Sequence, residues 1–149
     1  EHWATSPVSG SVASIGWVER GIATLLEDVP PEKVILGLPF YTREWEETPT
    51  ENGSTAVKSR AISMAQVKQI LEKNETRMSW DKKAGQNFAY YQKGDSVFKI
   101  WLEDEMSIEL KVALIKKYDL AGAAAWRKGF EEPEIWDVLY DSLKLPSKI

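Results

Sequence analysis

Aromatic side chains are the main chemical resource of this chain: seven tryptophans, five tyrosines and four phenylalanines in 149 residues. Indole is a large, rigid, apolar plane with one polar edge. Three tryptophans sit beside polar neighbours in segments that read as loops or strand ends: Trp3 in Glu1-His2-Trp3, Trp45 after Tyr41 and Arg43, and Trp126 after Ala125. Tyr41 adds a hydroxyl and Arg43 a cation, with Glu44 or Glu46 as alternative ion-pair partners for the latter. Other chemistries are poorly supplied. His2 is the single histidine, so no multi-histidine metal site can form, and no Ser-His-Asp arrangement is visible. The absence of cysteine excludes disulfides, thiolate metal sites and a cysteine nucleophile. Glu103-Asp104-Glu105 lacks the spaced oxygen ligands of a calcium loop and reads as the charged start of a helix. No cofactor is expected.

The elements that must position these groups follow from hydrophobic spacing. Val12, Ile15, Val18, Ile22, Leu25 and Leu26 recur at helical intervals within residues 11–27, with Ser11 or Ser14 as N-cap. Residues 33–40 form a continuous apolar run of strand length, the pattern of a parallel strand covered on both faces. Residues 48–54 read as a loop. Ser63 with Gln66 three residues on predicts a capping box opening a helix over 63–74. Strands are expected near 77–81, 87–92 and 97–102, separated by turn-rich Lys82 to Gly85 and Lys93 to Asp95. A helix follows Asp104. Residues 120–126 read as a buried strand despite their four alanines, and Pro133 opens a last helix at N1. Trp17 and Trp136 fall within helices and are expected in the core. Trp80 and Trp101 are expected in the core of the middle segment.

The net charge of −4 argues against nucleic-acid binding. No apolar run approaches the roughly 20 residues that cross a bilayer. The order helix, strand, inserted α+β module, helix, strand, helix is that of an α/β scaffold interrupted once. Its divisions are a scaffold segment 1–41, an insertion 42–103 and a second scaffold segment 104–149. Two buried strands are too few for a stable parallel sheet, and a closed eight-stranded barrel takes about 250 residues. The chain starts at Glu1 with neither methionine nor signal peptide. It therefore reads as part of something longer.

Glu1-His2-Trp3, Ser6-Pro7, Gly37 to Tyr41, Arg43, Trp45 and Ala125-Trp126 together resemble the C-terminal portion of glycoside hydrolase family 18, nearest to bacterial spore-cortex and peptidoglycan N-acetylglucosaminidases and to chitinases. The resemblance implies the C-terminal part of a (β/α)8 barrel, about strands 7–8 and helices 6–8, carrying an α+β insertion. It makes Glu1 the residue after the Tyr-Asp pair that ends the sixth strand. Gly37 to Arg43 becomes the turn after the seventh strand, with Thr42 in place of the usual glycine. Trp126 becomes the tryptophan under the sugar. The implied substrate-binding set is Trp126, Tyr41, Arg43, Trp45, Trp3 and Glu1. The family's Asp-x-x-Asp-x-Asp-x-Glu signature occurs nowhere in these 149 residues.

The resemblance thus implies a parent glycosidase acting on β-1,4-linked N-acetylglucosamine polymers, chitin or peptidoglycan, by a substrate-assisted retaining mechanism. The general-acid glutamate is expected outside the chain, which alone is expected to be inactive. Implied partners are an N-acetylglucosamine-containing polysaccharide and the N-terminal part of the barrel. The implied location is extracellular, in the cell wall or associated with the spore. Two alternatives are a non-catalytic carbohydrate-binding or scaffold protein of the same fold, and a free-standing α+β interaction domain.

Overall fold

The computed structural model describes residues 1–144. The last five residues of the expected 104–149 segment lie outside the described residues. Two packed units are visible: a helical layer on a pair of parallel strands, and an antiparallel sheet carrying one helix.

The first unit starts with α1 (Ile15–Leu25), whose N-cap is Ser14. Ser11, the other candidate, instead hydrogen-bonds with the Gln86 amide and accepts from the Ala13 amide. Strand β1 (Ile35–Pro39) pairs in parallel with β7 (Gly122–Trp126), Leu36 opposite Ala123 and Pro39 opposite Trp126. Alanine favours helices, but in β7 the small side chains let the backbone enter this ladder beside β1. Helices α3 (Glu105–Lys117) and α4 (Glu134–Leu143) complete the layer. Pro133 is the N-cap of α4 rather than its first helical residue. The core consists of Val18 and Ile22 of α1, Leu38 and Phe40, Ile108, Val112 and Ile115 of α3, and Ile135 and Leu139 of α4.

One face of the parallel pair is uncovered. Ile35 is 61% exposed and Gly37 is also exposed, so β1 is not buried on both faces within the described residues. Beside α4, an apolar groove of about 890 Å3 runs along Phe40, Ala123, Ala125, Trp136 and Tyr140. Trp17 and Trp136, expected in the core, are each 46% exposed. Each covers only part of its ring against its own unit. Trp136 meets Phe40 edge-on.

The antiparallel sheet has the order β3 (Thr55–Ser63), β2 (Tyr41–Pro49), β6 (Ser96–Trp101), β5 (Gln86–Lys93), β4 (Ser79–Asp81). Strands β4, β5 and β6 lie where the sequence predicts them. Strands β2 and β3 were not legible, because charges stand where apolar alternation is sought. Those charges are matched across strands: Glu44 opposes Arg60 and accepts its hydrogen bond, and Glu47 pairs with Lys99. Helix α2 (Met64–Lys73) begins with the expected Ser63–Gln66 capping box. It lays Val67, Ile70 and Leu71 on Ile62, Ala89, Ile100 and Leu102, forming a second, smaller core.

A buried polar chain joins the two units. Gln86 donates to the Leu102 carbonyl at 3.0 Å and to Glu103 at 2.9 Å. Glu103 accepts in turn from Ser107 at 2.7 Å and from Lys111 at 3.0 Å. Burial raises the Glu103 carboxyl above its ordinary range, against the pull of Lys111. A buried ion pair depends on further hydrogen bonds to its partners, and here Gln86 and Ser107 supply them to the Glu103 carboxylate.

Candidate functional site

The C-terminal ends of parallel strands are where α/β folds concentrate their sites. The ends of β1 and β7 open here into a cleft of about 540 Å3. Its lining includes Glu1, His2, Trp3, Trp17, Tyr41, Arg43 and Trp126. Five of the six expected site residues therefore meet in one place, although they come from both ends and the middle of the chain.

Trp126 ends β7 with its side chain 70% exposed. The Phe40 amide donates to the Trp126 carbonyl at 2.7 Å, which ties the two strand ends together and fixes where the indole starts. Trp3 is also largely exposed; its amide donates to Ser6 Oγ at 2.9 Å and its indole N–H to Thr5 at 3.0 Å. Tyr41 and Arg43 alternate on β2 and are half-buried. Arg43 Nε donates to Ser59 at 2.9 Å, and among the described residues the guanidinium forms no ion pair with Glu44, Glu46 or any other acid. Glu1 has a local duty: its carboxylate accepts from the Ser14 amide at 3.0 Å at the start of α1. The cleft thus carries one carboxylate, one guanidinium and three exposed indoles, those of Trp3, Trp17 and Trp126.

Trp45 is the exception. It lies on β2, not in a loop, and has no exposed surface. Its indole N–H donates to the Gly10 carbonyl at 2.9 Å, with His2 edge-on to its ring. The indole is used to seat the Ser9 to Ser11 turn on the antiparallel sheet, and no ring face is left for a ligand.

Two lining residues were not expected there. Trp17 falls outside the Ile15, Val18 and Ile22 stripe of α1, and that displacement was the readable signal. For His2 the sequence held no signal beyond its being alone. No group of three or more His, Cys, Asp or Glu able to hold a metal ion occurs among the described residues.

Comparison with known proteins gives a consistent result. The family model for Glycosyl hydrolases family 18 matches residues 3–130. The cortical fragment-lytic enzyme of Bacillus subtilis is 30% identical over 139 residues, which is 93% of this chain and 32% of that protein. The uncharacterized glycosylase YvbX of the same organism is 28% identical over 136 residues, 91% of this chain and 38% of that protein. The crystal structure of the Bacillus megaterium spore cortex-lytic enzyme SleL superposes with a TM-score of 0.80 at 26% identity, covering 95% of this chain and 33% of that one. The chain spans about a third of the length of these relatives.

Proposed function

The chain belongs to glycosyl hydrolase family 18, and from that premise we propose that it is the C-terminal part of a (β/α)8 glycosidase, supplying the aromatic wall of the cleft that binds a β-1,4-linked N-acetylglucosamine polymer. The observation that carries this reading is Trp126, an exposed indole at the C-terminal end of a parallel strand, held in one cleft with Trp3, Tyr41 and Arg43. A pyranose has apolar C–H faces and a polar rim, which an indole plane with flanking hydroxyl and guanidinium donors matches.

The uncovered face of β1 and β7 supports the same reading. Parallel sheets are covered on both faces, and Ile35 with the groove beside α4 mark the surfaces on which the remaining strands and helices would pack. The insertion is the antiparallel sheet of residues 42–103.

Family 18 chemistry is substrate-assisted. The substrate's own acetamide oxygen attacks the anomeric carbon, and one protonated glutamate gives its proton to the leaving oxygen. We assign the general acid and the acetamide-orienting Tyr-Asp pair to sequence outside these 149 residues. What this chain provides is binding: Trp126 as floor, Trp3 as flank, Tyr41 and Arg43 as polar contacts, and Glu1 holding the wall through Ser14. The substrate is chitin or peptidoglycan, and the names of the relatives favour a cell-wall or spore location. A full-length protein lacking Asp-x-x-Asp-x-Asp-x-Glu would instead be a carbohydrate-binding member of the fold.

Turnover of a chromogenic chitobioside tests the reading. The full-length protein is expected to release the chromophore and the 149-residue chain to release none. Turnover by the 149 residues alone contradicts the assignment of the acid.

A further inference from the structure

The geometry points to His2 as a further binding residue of the cleft, its Nε2 acting as a fixed hydrogen-bond acceptor for a sugar hydroxyl. This rests on the glycan reading of the cleft and adds to it a contact that neither the aromatic wall nor Arg43 supplies. Trp, Arg and Lys side chains only donate. Among the non-ionised groups lining the cleft, a neutral imidazole nitrogen is a strong acceptor.

Three observations fix the ring. First, His2 Nδ1 lies 2.8 Å from the Ser11 carbonyl. A carbonyl can only accept, so Nδ1 carries a hydrogen, and in the neutral tautomer with that hydrogen Nε2 is the acceptor. Second, the ring is held on two further sides: it stands edge-on to buried Trp45 at 6.4 Å, and it fills the space over Gly10 so closely that a Cβ there would overlap it. Third, Nε2 has no hydrogen-bond partner among the described residues, yet no buried side-chain nitrogen or oxygen there is unsatisfied. Nε2 is therefore not fully buried, and His2 lines the cleft.

The support beneath the ring runs deep. Ser11, whose carbonyl sets the tautomer, hydrogen-bonds through its hydroxyl to Gln86, and Gln86 is anchored by Glu103, which Lys111 holds in turn. A ring set this firmly loses little freedom when a ligand arrives, so its hydrogen bond retains most of its worth.

The test is titration of the full-length protein with chitotetraose, followed by indole fluorescence. His2→Phe keeps the ring's packing and removes both nitrogens; about a fivefold loss of affinity is expected, the worth of one neutral hydrogen bond. Gly10→Ala leaves the imidazole intact but displaces it, and the same loss is expected with Tm read in parallel. Trp126→Ala separates the two levels of the argument. If it weakens binding while both His2→Phe and Gly10→Ala bind as the parent does, the assignment of His2 is overturned and the cleft stands. If Trp126→Ala also changes nothing, the glycan reading fails and takes His2 with it.

Discussion

Trp45 and Trp126 are the same side chain in opposite surroundings, one with no exposed surface and a hydrogen bond to Gly10, the other 70% exposed at a strand end. Their substitutions should separate accordingly. Trp45→Ala empties a packed site and is expected to cost about 3–5 kcal/mol of stability, read as a fall in the urea midpoint. Trp126→Ala removes no core and should leave that midpoint nearly unchanged. Lys111→Met leaves the Glu103 carboxylate buried without its partner, and about 3–5 kcal/mol of destabilisation is expected. A Glu103→Gln, Lys111→Met double variant should recover part of it. Asp81 supplies a pH test. Burial pushes its carboxyl up, but hydrogen bonds from the Ala84 and Lys83 amides and the Trp101 indole together outweigh it, leaving it below the usual 3.8. A lowered acid stabilises the fold above its unfolded value and loses that contribution as pH falls through its folded value. The acid limb of unfolding, followed by tryptophan emission, should therefore flatten in Asp81→Asn. Tryptophan positions were legible in the sequence where an apolar strand ended, as at Ala125-Trp126. At Trp45 they were not, because the glycine it bonds lies in a distant turn.

At the scale of elements, legibility followed the source of the stabilisation. Helix α2 was readable because its signal is local: Ser63 accepts from the Gln66 amide and Gln66 reaches back to the Ser63 amide. Ser63→Ala should cost about 1 kcal/mol and raise amide exchange in the first turn of α2, leaving α1 protected. Strand β7 was readable as a strand against its helix propensity because a short apolar run after a helix end fits a parallel partner, but Ala124, Ala125 and Trp126 are exposed rather than buried. Strands β2 and β3 were not, since Arg60 and Lys99 hold the counter-charges to Glu44 and Glu47 and neither partner is near in sequence. Glu44 is buried beneath an exposed Arg60, and the Glu47–Lys99 pair is half-buried; the apolar support of the sheet is Ile62, Ala89 and Ile100 beneath α2.

At the scale of the molecule, the two cores meet through Ser11, Gln86 and Glu103, and the cleft opens between the strand ends and the rim that this junction supports. The order of helices and strands outside β2 and β3 was legible in the sequence, and five of the six residues named through the family resemblance line the cleft. Tertiary contacts alone revealed that His2 belongs to it, whereas Trp17 was marked by its place off the apolar stripe of α1. The uncovered strand face predicts that these 149 residues alone will associate or bind an apolar dye such as ANS, by the rule that unpaired sheet edges and exposed apolar surface seek partners. A non-associating monomer with no dye binding would favour a free-standing domain. The central claim is that the cleft binds a sugar chain on Trp126. Its most direct measurement is the affinity of full-length Trp126→Ala for chitotetraose: a weakening of about tenfold, or about 1.4 kcal/mol, with an unchanged Tm is expected, and an affinity equal to that of the parent protein would contradict the account.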